Sequence, residues 1–431
     1  MDTMTKKTIA FYTLGCRLNQ SETAVIENTF NDNYAIVPFK DGAEIVIINT
    51  CTVTENGDAD ARRLVNKAVR LNKDVKVAMI GCQAQVQKEK LLKLPNVQWV
   101  IGNAKKMDVA SIIEEIDNQE PRVITPTISK ESFTIPMAGI DRRHTRANIK
   151  IQDGCDFFCT FCEIPYARGR ARSRVFEDIL VECRALIAAG HKEIIITGIN
   201  LGTYDNDGKD IYDVIRAMEE LEGLERIRIS SIEPTTIPDD LIKMMNGSTK
   251  LCRYLHIPIQ SASDVVLESM KRKYNYAEFA DFILKVKSIN PEICIGTDVI
   301  VGFPTETEEE FLKTEDRLRE LPIDYFHVFS YSKRYMAKSR SWDEEVPIHL
   351  IQERSQRLRD LSQRKRHMFF ETQMNKPQEI IVEEKKKGKW TGLTDHYIRI
   401  LFESNNDLKN QTVNLSPSIN NGTHIYAVLN K

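Results

Sequence analysis

"GCDFFCTFC", Gly154 to Cys162, spaces three cysteines as C-x3-C-x2-C. Three thiolates on one short loop can hold three irons of a 4Fe–4S cluster, and thiolate is the natural ligand for such clusters. No fourth cysteine follows nearby. One iron would then be left open for a further ligand, as catalytic metal centres keep a vacant position. Two other readings stand beside this one. A zinc knot more often uses four ligands and a tighter cysteine pair, and cysteine also packs cores as a small apolar residue.

Downstream of this loop the chain alternates apolar strands with helical patterns. The strands are "EIIITG" (Glu193–Gly198), "RIRISSIEP" (Arg226–Pro234), "YLHIPIQ" (Tyr254–Gln260), "ICIGTDVIVGFP" (Ile293–Pro304) and "YFHVFSYS" (Tyr325–Ser332). Helical stretches such as Phe176–Ala189 and Tyr276–Ser288 lie between them. Several βα units in series predict a full or partial (β/α) barrel, with ligands at the C-terminal strand ends. The polar signatures "TGINLGTY", "SSIEP", "IQSAS" and "GFPTET" fall at those ends.

Upstream, Thr8–Leu14, Glu44–Asn49, Lys76–Ile80 and Val97–Ile101 read as strands, with helical stretches such as Asp58–Leu71 between them. This rhythm predicts a parallel sheet covered by helices. Residues 121–138, with three prolines, read as a linker. Residues 349–372 form a basic helical stretch, and from about Gln373 short strands with Gly/Asn/Lys turns predict a small antiparallel barrel.

Cys16, Cys51 and Cys82 each follow one of the upstream strands. Parallel strands deliver their C-terminal loops to one sheet edge, so these thiols can meet in space. One such cysteine reads as a buried thiol; three in successive strands are hard to explain by packing alone. Cys183, Cys252 and Cys294 lie in or near patterned helix or strand and read as structural.

The chain has 431 residues and a formal net charge of −2, so nucleic-acid contacts would come from local patches. Basic runs are Arg142–Arg146, Arg168–Arg174, Met270–Tyr274, Arg354–His367 and Lys385–Trp390, each of which also reads as a solvated face. Trp390 and Tyr397 are expected as exposed aromatics that suit RNA binding. No apolar run approaches the ~20 residues of a membrane span, and no secretory signal is visible. Nine cysteines in such a chain fit a reducing cytosol and metal or catalytic use.

C-x3-C-x2-C opening a run of βα units resembles the radical S-adenosylmethionine (SAM) superfamily, and "EIPYARGRARSR" (Glu163–Arg174) is similar to its methylthiotransferase branch. The resemblance covers nearly the whole chain. It implies an α/β protein of three parts. Residues 1–135 would be a parallel-sheet α/β domain holding an auxiliary 4Fe–4S cluster on Cys16, Cys51 and Cys82. Residues 141–367 would be a partial (β/α) radical SAM barrel with its 4Fe–4S cluster on Cys155, Cys159 and Cys162. Residues 368–431 would be an antiparallel RNA-binding TRAM barrel.

In that family the open iron chelates SAM, an electron cleaves it to methionine and a 5′-deoxyadenosyl radical, and the second cluster carries the sulfur delivered. The resemblance implies a SAM pocket of Phe161, Gly198, Asn200, Ser231, Glu233, Gln260 and Asp298, and substrate contacts at Arg17, Asn19, Arg272 and Trp390. It implies a tRNA anticodon stem-loop as partner, a reductase or flavodoxin-type electron donor, and a cytoplasmic monomer. "GCRLN" (Gly15–Asn19) is similar to the subfamily acting on threonylcarbamoyladenosine. The alternatives are isopentenyladenosine of tRNA, an aspartate of a ribosomal protein, and an RNA-binding iron–sulfur sensor without turnover. Two places depart from the family pattern. Ala262 stands where glycine is usual, and Ser330–Arg340 lacks the usual Gly-Thr step, so no role is transferred to it.

Overall fold

The computed structural model describes residues 6–30, 33–53, 55–115, 120–141, 143–247 and 250–430. Arg142 of the first basic run, Thr54 after Cys51, and the chain ends at residues 1–5 and 431 lie outside the described residues.

The first part is one parallel sheet. Its strands are β1 (Lys7–Thr13), β2 (Tyr34–Ile36), β3 (Ile45–Thr50), β4 (Lys76–Gly81), β5 (Val97–Ile101) and β6 (Arg122–Ile124), in the order β2-β1-β3-β4-β5-β6. All six residues of β3 are buried, because helices such as α1 (Arg17–Thr29) and α2 (Glu55–Leu71) pack on the faces of a parallel sheet. The 121–138 stretch is not all linker, since β6 adds to the free edge of β5 from Trp99↔Arg122 to Ile101↔Ile124. A three-residue edge strand is too short to carry a periodic signal; backbone pairing recruits it, with Ile124 packed on the core under the sheet.

The second part is a partial barrel of six strands: β7 (Arg146–Lys150), β10 (Glu193–Thr197), β11 (Arg226–Ile229), β12 (Tyr254–His256), β13 (Cys294–Val301) and β14 (Tyr325–Ser330). They form two three-stranded parallel sheets, joined by single bridges at Ile227↔Leu251 and Ser231↔His256. Between β7 and β10 a two-residue ladder, β8 (Gln152–Asp153) with β9 (Arg172–Ser173), spans the base of the cysteine loop. The Ile348–Glu371 helix lies along β14. Ser362 Oγ there accepts from Phe326 N (2.9 Å) and donates to Phe326 O (2.6 Å), which occupies backbone groups of a strand edge.

The third part is a closed barrel of β15 (Gln378–Lys386), β16 (Lys389–Leu393), β17 (Arg399–Phe402), β18 (Thr412–Asn420) and β19 (Ile425–Leu429), in the order β15-β16-β17-β19-β18. It is mixed rather than antiparallel, because β17 and β19 run parallel. Parity requires this: alternating directions cannot close around an odd number of strands. Trp390 is also not an exposed stacking platform. It is 6% exposed inside this barrel and donates Nε1–H to Asn406 O at 3.1 Å. A tryptophan alternating inward in a small barrel supplies core area that the barrel cannot spare. No helix among the described residues is long and apolar enough to cross a membrane.

Candidate active site

The sheet of the first part ends at three cysteines. Cys16 follows β1, Cys51 follows β3, and Cys82 opens a short helix after β4. Gly15 (φ +89°) makes the crossing possible, since a Cβ there would stand 2.6 Å from Cys51 Sγ. Val53 N–H points at Cys51 Sγ (3.5 Å) and Asn103 Nδ2 at Cys82 Sγ (3.7 Å). The second triplet sits on the loop after β8. Phe157 N–H faces Cys155 Sγ at 3.5 Å, Ile164 N–H faces Cys162 Sγ at 3.4 Å, and Arg272 Nη1 faces Cys159 Sγ at 3.5 Å. All six cysteines are free thiols. Burial pushes the Cys51 thiol up to about 12 and the Cys155 thiol up to about 11, so iron must displace a proton from each. Free thiols ringed by N–H donors fit iron–sulfur clusters, whose potentials such hydrogen bonds tune.

A buried ion network welds the two triplets together. Glu22 of α1 receives Arg168 (3.0 Å), Lys150 (2.8 Å) and Lys106, and Asp153 receives Lys150 (2.6 Å), Arg168 (3.0 Å) and Arg172 (2.8 Å). Burial alone would raise the Glu22 carboxyl, but Arg168, Lys106 and Lys150 hold it well below the usual range. The Arg168–Arg174 run is therefore not all solvated face: Arg168 is 0% and Arg174 1% exposed, while Arg170 stays exposed. Asn19 belongs to this framework and not to a substrate surface. It is fully buried, donates to Leu14 O (2.8 Å) and Thr50 O (3.0 Å), and accepts from Arg168 (2.6 Å). A second weld joins Thr52, beside Cys51, to Glu163, beside Cys162. Arg334 Nε (3.2 Å) and Met336 N–H (3.0 Å) also reach Glu163, so the atypical Ser330–Arg340 segment clamps both cysteine loops. Glu22, Lys106 and Glu163 carried no sequence signal of burial, because each is neutralised by a partner distant in the chain.

Between Cys16 and the strand ends of β10, β11 and β12 lies a cavity of about 340 Å³, within the roughly 300–1,000 Å³ of small-molecule sites. Cys16, Arg17, Gly198, Ser231, His256, His327, Arg228 and Tyr397 are among its walls. Arg17 and Gln20 also line a wider groove of about 740 Å³ between the first part, the 139–148 segment and the C-terminal barrel. Asn200 is 1% exposed, and its Nδ2 has no partner among the described residues. An orphaned donor at the end of β10 fits an anionic group of a bound nucleoside cofactor. Gln152, which the sequence did not single out, fixes this turn by accepting from Ile199 N–H (2.8 Å) and Asn200 N–H (2.9 Å).

Glu233 pairs with Arg272 at 2.5 Å, and burial raises its carboxyl despite that partner. Arg272 is a 2%-exposed side chain bound to Glu233, Pro258 O and Cys159, so it supports the cysteine loop and is not an RNA-facing cation. Gln260 holds a left-handed backbone (φ +67°) and accepts from Ile300 N–H at 2.8 Å. Asp298 meets His256 Nε2 at 2.9 Å, and His256 Nδ1 meets Tyr254 OH at 3.1 Å. Phe161 packs against Val266, Met270 and Phe303 beside Cys162.

A partial (β/α) barrel with this cysteine loop defines the radical SAM class. The model of the Radical SAM superfamily matches residues 149–318, and that of the uncharacterized protein family UPF0004 matches residues 8–102. Membership of that superfamily implies a 4Fe–4S cluster and SAM. The chain is 39% identical to the threonylcarbamoyladenosine tRNA methylthiotransferase MtaB of Bacillus subtilis, over 93% of this chain and 91% of that protein. It is 37% identical to the Aquifex aeolicus protein of the same name, over 92% and 96%. It is 30% identical to a tRNA-2-methylthio-N(6)-dimethylallyladenosine synthase of Carboxydothermus hydrogenoformans, over 99% and 100%. The chain belongs to the radical SAM methylthiotransferase family. The radical SAM methyltransferase TsrM of Kitasatospora setae shares the fold, with a TM-score of 0.57 and 14% identity over 76% of this chain and 75% of that one.

Proposed function

We propose that this enzyme adds a methylthio group to C2 of N6-threonylcarbamoyladenosine next to the anticodon of a tRNA. The observation that supports the reading is the cavity that Cys16 of the first triplet shares with Gly198 and Ser231 at the barrel strand ends. Cys155, Cys159 and Cys162 would hold one 4Fe–4S cluster, and Cys16, Cys51 and Cys82 the other. When bound, SAM and the two clusters supply the radical and the sulfur. Asn200, Ser231, Glu233 and Gln260 orient the cofactor at the strand ends, with Gly198 allowing close approach and Phe161 backing Cys162. Asp298 holds His256 at the inner wall. His256 is buried there, which keeps water from this side of the cavity.

A relative that acts on dimethylallyladenosine at 30% identity supports the nearest alternative base. Nucleoside mass spectrometry decides between them. Anaerobically reconstituted enzyme, a flavodoxin-type reductant and SAM are incubated with tRNA bearing either modified adenosine. A 2-methylthio product from the threonylcarbamoyl tRNA alone is expected; product only from the dimethylallyl tRNA would overturn the substrate.

A further inference from the structure

The cavity is lined by two guanidinium groups and two imidazoles and by no carboxylate side chain. Arg228 is committed, to Glu193 (2.8 Å) and to Thr394 O (3.0 Å) and Asp395 O (3.1 Å). Arg17 is not. Its one hydrogen-bond partner among the described residues is the Tyr397 hydroxyl, at 2.6 Å. Tyr397 takes a left-handed backbone (φ +68°), which bulky residues avoid, in the turn where its N–H donates to Thr394 O at 3.1 Å. Its ring stacks on Tyr254 at 4.7 Å between centroids, and Arg228 lies over it at 5.3 Å. Having accepted from Arg17, the hydroxyl still has its own proton to donate.

We infer that Arg17, braced by Tyr397, binds the carboxylate of the threonylcarbamoyl group and thereby sets the choice of base. This rests on the tRNA reading proposed above. In that reading C2 of the adenine faces the centre at Cys16. N6 lies on the same Watson–Crick edge, on C6, which one ring nitrogen separates from C2, so its substituent projects beside that centre. Arg17 is the next residue in the chain and opens to both the cavity and the wider groove. A carboxylate there gains two charge-assisted bonds, one from the guanidinium and one from the phenol. A dimethylallyl group offers no acceptor and would leave Arg17 with the Tyr397 hydroxyl alone and no anion, a loss that a polar site turns into discrimination.

The test uses two anticodon stem-loop RNAs, one bearing threonylcarbamoyladenosine and one bearing its neutral threoninamide analogue. Both are measured for binding by fluorescence anisotropy and for methylthiolation by the reconstituted full-length enzyme. The wild type is expected to prefer the acid roughly 10- to 100-fold. In Arg17→Gln the acid-to-amide ratio should fall to within about threefold of one, and Arg17→Lys should restore part of it. Tyr397→Phe should lower the ratio less than Arg17→Gln does. Iron content and 5′-deoxyadenosine release confirm that both clusters are loaded in each variant. An unchanged ratio in a loaded Arg17→Gln enzyme overturns the assignment while the function stands. An equal loss on both RNAs also overturns it, and a raised KM for SAM or a flatter salt dependence of RNA binding would then give Arg17 to the methionyl carboxylate or to a phosphate. A wild type that modifies neither RNA refutes the function itself, and this assignment with it.

Discussion

Arg168 shows how little of a site's support a chain advertises. In sequence it is one cation in a basic run; in the fold its guanidinium reaches Asn19, Glu22 and Asp153 with no exposure to water. Replacing it with alanine leaves two buried carboxylates short of a partner, which costs about 3–5 kcal/mol. Denaturant unfolding of the metal-free protein should show a loss of that size, whereas Arg170→Ala, an exposed neighbour, should change little. The cysteines behave oppositely, because spacing and strand ends mark them directly. Cys16→Ala should halve the iron from about eight to about four per chain, leave 5′-deoxyadenosine release largely intact, and abolish methylthio transfer. Iron analysis beside nucleoside mass spectrometry checks all three. Trp390 and Asn19 were misread for one reason: burial of a polar or amphipathic side chain depends on partners that only the folded chain brings near.

Among the elements, strands with an apolar run around them were legible, while the short β2 and β6 and the polar β7 were not. β13 announces itself through its apolar run, while β7 offers only Ala147 and Ile149 as apolar residues. The Ile348–Glu371 helix was visible, but its anchor was not. Arg354 on that helix pairs at 2.9 Å with Glu306, which also accepts from Gly302 N–H at 2.9 Å. Burial pushes the Glu306 carboxyl up to about 7 against both contacts, which favour the anion. The folded chain therefore holds this proton more tightly than the unfolded chain. Its contribution is full below the usual carboxylate range and is lost as pH rises toward 7. The loss is on the order of 3 kcal/mol. Thermal unfolding at pH 5.5 and pH 8 should show about 2 kcal/mol of this fall, and Glu306→Gln should flatten it.

At the scale of the whole molecule, the three parts share one chemical centre instead of standing in a row. Arg226 docks the C-terminal barrel by donating to Leu393 O (2.8 Å) and Glu379 O (2.7 Å). Arg226→Ala should loosen that seam by about 1.5–3 kcal/mol for each charged hydrogen bond lost. Hydrogen exchange should rise across β15 and β16 while the first sheet stays protected. The tripartite plan was readable from the order of strand and helix patterns, but the meeting of Arg17 with Tyr397 was not, since 380 residues separate them. That separation is also an interval of time. At roughly 5–20 residues per second, a ribosome makes Arg17 some tens of seconds before it makes Tyr397. All six cysteines of the two triplets lie within the first 162 residues, so iron can be loaded while the last wall is still being translated. A nascent chain can thus acquire its metal early, yet it has no finished cavity for RNA until synthesis is nearly over.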